Sequence, residues 1–507
     1  MSGAIHSARA HRGPLALDCD VVVVGSGAGG AVVATELALA GKRVIVVEEG
    51  RAIPARTHGA MTQSQSLRHV WREGGMTTAF GLGGAPTVNV TMGRVVGGSS
   101  VVTGGVCFRV ADQVLERWSE DMGLAELTPA GVDRYYTHVE KAMHVEEVPV
   151  HMRSRSTALF CEGAAKMGYE VEPMRRNTDG CEGCGRCNFG CPHAAKLSVD
   201  LSYLPRAMAA GADVWSECLV ERVMIEGDRA VGVRGRMTNG PDGARGDRFT
   251  IRAKKVVVAA GGVHSASLLR ASGIGGLGGH VGRNLTLHPG CRVFARFDEE
   301  VRGWEGAMQS AFSTAFEHDG FLLNSLFIPA SVIAATMPGS GPRHARLAEQ
   351  VAHIAMFGAQ VHDDGGGFVV RNPFGREPVM FYRCSPHDLA ALRRGIRVIG
   401  ETFLAAGARE LFLPILGADG FSPDAFRRLD LDAIPVVQME CASQHPLGTC
   451  RMSRLAQDGV VDAWGKSWDV RDLYVADGSV LPSSLGVNPQ LTVMMMATRI
   501  AWNMAEA

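Results

Sequence analysis

Four consecutive apolar residues, Val21 to Val24, run straight into Gly25 and Gly27, and this spacing predicts a buried parallel strand entering a tight turn. An apolar-periodic helix follows these glycines through Leu39, and Arg43 to Val47 predict a second strand. A glycine-dense stretch follows, ending near Arg109, whose composition suits backbone lying against a flat ligand better than a packed core. Residues 112–175 carry helical periodicity, with Pro129 near the start of one helix and Gly168 at the end of another. From Ala212 to Val258 the period changes to two, predicting a small antiparallel meander that returns to a buried strand at Lys255 to Ala259. Residues 293–434 are mixed, with a Pro/Gly break at 338–342 and helices near 343–353 and 387–406. The chain closes with a strand from Asp472, a loop, and an amphipathic helix from Gln490. No internal repeat interrupts this order.

Composition adds mainly exclusions. The 507 residues suffice for two or three domains, and 46% apolar content fits a globular enzyme. A net charge of -1 gives no electrostatic case for nucleic acid or an anionic membrane as partner. No apolar run approaches the roughly 18 residues of a membrane span, so no integral membrane segment is expected. Residues 1–17 lack the apolar core of a signal peptide and read as a loose leader, which makes the expected location cytoplasmic. In that compartment the twelve cysteines are not expected to form a disulfide framework.

Two motifs carry chemistry. Gly25, Gly27 and Gly30 spell G-x-G-x-x-G between the predicted strand and helix, and Glu48 ends the next strand about 20 residues on. The first glycine permits the turn, the second lets main-chain N–H groups approach a pyrophosphate, and the third lets helix and strand pack closely. Glu48 is then placed to accept from a ribose hydroxyl. Gly273, Gly275 and Gly278 repeat the spelling, but they follow a helical pattern instead of a strand and read as a loop. The second motif places Cys181, Cys184, Cys187 and Cys191 at C-x2-C-x2-C-x3-C-P, a ferredoxin spacing. One iron–sulfur cluster, a structural cysteine loop and a zinc site all remain open, zinc least favoured because it usually takes two separated pairs.

The chain resembles the glucose–methanol–choline oxidoreductases, flavoproteins that oxidise alcohols. The resemblance rests on the N-terminal glycine motif with Glu48, GRVVGGSS at 93–100, residues 256–274 with GRNLTLHP at 282–289, and HPLGTCRM at 445–452 with residues 472–499. Looser similarity points to the cholesterol oxidase and long-chain alcohol oxidase branches. It implies an α/β fold, with a doubly wound, Rossmann-like FAD-binding domain from residues 18–111, 200–292 and 435–507. A helical segment with the cysteine cluster would occupy 112–199, and a sheet-plus-helix substrate domain 293–434. It implies FAD held by Gly25, Gly27, Ala28, Gly30, Glu48 and Glu49, by Arg94, Gly97, Gly98, Ser99 and Thr103, by Val220 and Gly261, and by Asp477, Gly478, Asn488, Pro489 and Gln490. Thr103 replaces an asparagine common at that position, and no histidine in the 93–100 block supports covalent attachment of the flavin.

The resemblance also makes His445 the catalytic base and Asn488 a group that orients the substrate or steadies its alkoxide. His288 is expected to be structural. An alcohol is a very weak acid, so a positioned base near neutral pKa is valuable while hydride leaves carbon. The apolar stretches of 293–434, without an evident polar constellation, predict a hydrophobic alcohol. The electron acceptor is expected to be external: a quinone, a redox protein or O2. A sugar or polyol dehydrogenase, a flavin-dependent carbonyl reductase or isomerase, and a flavin/iron–sulfur electron-transfer protein without alcohol chemistry are the alternatives.

Overall fold

The computed structural model describes residues 2–238 and 245–506. Its first sheet grows from the predicted nucleus. Ile5–Ser7, Asp213–Ser216, Val44–Val47, Leu15–Val24 and Arg245–Val258 lie side by side, each parallel to the next. The other edge of Arg245–Val258 serves two partners. Arg229–Thr238 runs antiparallel along its first half, and Leu473–Val475 lies parallel to its last three residues. The helix Ala28–Leu39, almost wholly buried, packs against Gln490–Glu506 and Tyr203–Ala209. Its all-round burial follows from its small, largely apolar composition, and its one charged residue, Glu36, is met by His138 and Trp502.

Two expectations about this sheet are corrected. The leader is not loose: Ile5–Ser7 forms its edge strand, and Ser7 and Arg9 both reach the Glu217 carboxylate, at 2.6 and 2.5 Å. Asp213–Ser216, expected in the antiparallel meander, is instead a parallel strand between Ile5–Ser7 and Val44–Val47. The meander itself begins at Cys218–Glu226.

The second sheet runs Gly366–Val370, Val379–Arg383, Thr78–Gly81, Val88–Val90, Cys441–Ser443, Gly290–Arg296, Ile354–Val361, Phe321–Ser325, Ala311–Ser313 and Glu172–Pro173. It therefore does not respect the expected 293–434 boundary, because strands from both flanking segments pair into it. Alternation along its central strands separates two environments. Val293, Leu323, Phe357 and Ala359 join a core that includes Ile396 and Ile399 of the helix Pro386–Ala406 and Phe160 of Arg155–Met167. Arg292, Asn324, Gly358 and Gln360, one residue out of phase, line a cavity instead. No described helix is long and apolar enough to cross a membrane.

Candidate active site

A cavity of about 1590 Å³ is walled by both sheets. Single-ligand sites commonly occupy roughly 300–1,000 Å³, so this space admits a dinucleotide and a second molecule together. Its floor is made where two glycine loops meet. Gly25 turns the chain at φ +99°, and a Cβ on Gly98 would stand 2.7 Å from the Gly27 Cα. The helix Ala28–Leu39 begins at this meeting with no side-chain cap, so its first N–H groups are left for a ligand, and Ala28 lines the cavity.

Of the expected dinucleotide residues, Gly25, Gly27, Ala28, Glu48, Glu49, Gly98, Ser99, Thr103, Val220, Gly261, Asp477, Gly478, Asn488, Pro489 and Gln490 line the cavity. Gly30, Arg94 and Gly97 do not. A Cβ on Gly30 would lie 2.0 Å from the Gly25 carbonyl oxygen, so that glycine serves helix–strand packing. Gly97 donates its N–H to Ser26 Oγ at 3.0 Å, and Arg94 faces Glu73 at 3.4 Å.

Hydrogen bonding refines three of the expected roles. Glu48 accepts from Ser26 N at 3.0 Å, Ser26 Oγ at 2.7 Å and Gly50 N at 2.7 Å. A carboxylate has about four acceptor positions, so one is left for a ribose hydroxyl. Asp477 has none left, since Gly261 N, Ser265 Oγ, Ser479 N and Ser479 Oγ take both oxygens twice. Its side chain ties two cavity loops together and does not itself reach a ligand. Glu49 is held in ion pairs by Arg72, at 3.0 Å, and by Arg376. Thr103 directs its hydroxyl at Ser100 O and Gln490 Oε1, at 3.2 and 3.3 Å.

His445 and Asn488 come together on the same wall, with His445 Nε2 3.4 Å from Asn488 Nδ2. Behind His445 stands His288, Nδ1 to Nδ1 at 3.3 Å. His288 Nε2 faces two main-chain donors, Leu485 N at 2.9 Å and Gly486 N at 3.3 Å, so it must accept there. Burial pushes His288 down to about 3 and His445 well below its ordinary value, with the neighbouring His288 adding to the latter. Both rings are thus neutral near pH 7. The His288 proton then sits on Nδ1 and points at His445 Nδ1, which leaves the His445 proton on Nε2, towards the cavity. Turning the Asn488 amide over lets Oδ1, otherwise buried without a partner, accept that proton.

His288 was expected to be structural only; the structure makes it the residue that orients His445. A second group lay outside the sequence reading altogether. The buried Asp363 carboxylate accepts from Leu287 N, His288 N, Tyr382 Oη and Ser484 Oγ, at 2.9, 3.1, 2.5 and 2.6 Å, and so fixes the His288 turn. Only its place in an His-Asp-Asp-Gly run marked it in the sequence.

The part of the cavity facing the second sheet mixes Leu326, Ile328, Val332 and Met439 with Arg292, Gln309 and Glu440. Of these three polar residues only Gln309 belongs to the 293–434 segment expected to be apolar; Arg292 and Glu440 enter the wall from just outside it. Arg292 reaches the wall by register, on the cavity face of a strand whose other face is apolar. The four cysteines of the second motif carry free thiols and lie together around a separate, smaller hollow.

Two family models, both described as GMC oxidoreductase, match residues 19–290 and 371–497. An uncharacterised GMC-type oxidoreductase of Mycobacterium tuberculosis is 39% identical over 496 residues, which span 96% of this chain and 76% of that one. A long-chain-alcohol oxidase of Arabidopsis thaliana is 29% identical over 517 residues, spanning 94% of this chain and 66% of that one. Among solved structures, a formate oxidase of Aspergillus oryzae studied for FAD modification superposes with a TM-score of 0.73 at 17% identity, covering 97% of this chain and 98% of that one. That likeness is one of fold.

Proposed function

The chain belongs to the GMC oxidoreductase family, and on that premise we propose that it oxidises an alcohol to the carbonyl compound, with FAD as hydride acceptor and an electron acceptor outside the chain. One observation carries the reading: His445 and Asn488 stand in the wall of the same cavity whose floor the Gly25–Gly27 and Gly98–Ser99 loops form. The residues present fit FAD. Uncapped helix N–H groups suit its pyrophosphate, the remaining acceptor position of Glu48 suits its ribose, and the glycine floor admits a flat ring. The buried Gln490 Nε2 and Asn188 Oδ1 atoms, which lack partners in the cavity wall, give a polar ligand further groups to meet. When bound, FAD supplies the two-electron acceptor that no side chain can.

The chain's own part is to place the alcohol and move its proton. In the first reading His445 Nε2 takes the hydroxyl proton, and Asn488 holds the oxygen. That requires the His445 ring proton on Nδ1, against the N–H that His288 directs there. The hydrogen bonds at His288 favour a second reading, in which the hydroxyl proton passes to solvent water in the cavity while His445 Nε2–H donates to the substrate oxygen and steadies the alkoxide as it forms. For the substrate, Leu326, Ile328, Val332 and Met439 support an alcohol with an apolar body, and Arg292 and Glu440 support a polar group on it.

The test is anaerobic mixing of the flavin-loaded protein with a panel of aliphatic, terpenoid, sterol and sugar alcohols, read as loss of flavin absorbance. Bleaching by apolar-bodied alcohols is expected. Bleaching by sugars alone would refute the substrate class, and bleaching by none of them would refute alcohol oxidation.

A further inference from the structure

Cys181, Cys184, Cys187 and Cys191 surround one hollow whose wall also includes Arg176 and Lys196. Two left-handed glycines, Gly183 at φ +70° and Gly185 at φ +62°, fold the loop back on itself so that all four cysteines reach this place. No three of their sulfurs lie within 4.8 Å of one another. Four ligands about 2.3 Å from one zinc ion would be mutually closer than that, whereas thiolates at the corners of a cubane stand farther apart.

The cations are the second observation. Arg176 is fully buried and Lys196 is 3% exposed. Arg176 donates to Gly104 O and, at 2.9 Å, to Cys187 Sγ, while its buried Nη1 has no partner. Lys196 donates to the carbonyls of Ser100, Val101, Thr103 and Cys187. Among the described residues no carboxylate lies within 4.0 Å of either; Asp200, which does act on Lys196 electrostatically, is hydrogen-bonded to Ser198. Two buried cations without an ion-pair partner are costly unless an anion meets them.

We propose that the four cysteines ligate a single iron–sulfur cluster, whose negative charge Arg176 and Lys196 offset. Four thiolates around a four-iron core carry a net charge of about -2, which matches the two cations. The site abuts the large cavity: Ser100, Thr103 and Gly104 line it on one side and hold Lys196 and Arg176 on the other, and Asn188 and Phe189 extend from the cysteine loop into its wall. Oxidation of one alcohol releases two electrons and two protons. The cluster passes the electrons singly, in two transfers, to an external one-electron redox protein, and the protons go to solvent. This electron path rests on the proposed alcohol oxidation; binding of the cluster does not.

The full chain, made in iron-sufficient cells and purified without oxygen, is assayed for iron, acid-labile sulfide and zinc, and by electron paramagnetic resonance after dithionite. About three to four iron atoms and as many sulfides per chain are expected, with a paramagnetic signal on reduction. Stoichiometric zinc, or no iron even after anaerobic reconstitution with ferrous iron and sulfide, would overturn the proposal. The Cys184→Ser/Cys187→Ser variant is expected to lose the iron and keep its flavin absorbance; iron retained at the unmutated level would also overturn it. In Lys196→Met the cluster potential should fall, because the reduced, more negative form loses a cation, and an unchanged potential would refute the charge pairing. Iron without alcohol turnover would leave this site standing and sink the alcohol reading, while turnover without iron would do the reverse.

Discussion

One substitution separates the two readings of His445. Glutamine can donate a hydrogen bond but cannot take a proton, so His445→Gln should keep much of the rate if the ring only donates. It should lose about 10²–10⁴-fold if the ring is a base, as should His445→Ala, with FAD still bound in both. Rapid-mixing flavin reduction by a substrate alcohol distinguishes the outcomes. His445 and Asn488 were legible because they sit inside short family motifs. The orienting role of His288 was not, since it depends on main-chain donors at Leu485 and Gly486, nearly two hundred residues away. The same holds for Asp363, whose four donors come from three separate segments. Replacing it by asparagine sets an N–H against groups that all donate. Asp363→Asn should therefore cost about 1–3 kcal/mol in chemical denaturation and slow flavin reduction by loosening His288, whereas unchanged stability would show those hydrogen bonds to be dispensable.

Elements were readable in proportion to how strongly local pattern dictated them. The strand at Val21–Val24, the helix through Leu39 and the helix near 387–406 were legible from apolar pattern, whereas Leu15–Leu17, which begins the strand, lay in the stretch expected to be loose. Ile5–Ser7 was missed because three residues, two of them polar, carry no period; pairing with Asp213–Ser216 makes them a strand. The loop at Gly97–Gly98 was recognised by its glycines, and its geometry shows why they are needed. An alanine at 98 would combine a left-handed φ of +55° with a Cβ 2.7 Å from Gly27 Cα, so the two loops would have to part. Gly98→Ala is expected to lose about 1–3 kcal/mol and most of its flavin. Thermal unfolding with flavin content measures both, and a fully flavinylated, equally stable variant would disprove the contact.

At the scale of the whole molecule, buried histidines set the response to acid. His58 is held at about 4 and His288 at about 3 by burial, and His445 is lowered for the same reason. The unfolded chain binds these protons near pH 6.5 and the folded chain does not, so this stability is fully present above about pH 6.5 and is lost as pH falls towards 4 and then 3. Urea midpoints should decline steadily over that window, and a flat profile would mean the three rings are not neutral in the fold. The doubly wound sheet was expected from the family resemblance, but the second sheet was not confined as expected, because pairing across distant segments leaves no local trace.

The strand Leu473–Val475 completes the edge of Arg245–Val258, and His445 and Asn488 close the cavity from the same late part of the chain. Closing the cavity over a coenzyme already met by the glycine floor and Glu48 therefore falls to residues beyond 440, and variants shortened before Cys441 are expected to hold flavin weakly, read as flavin absorbance after gel filtration.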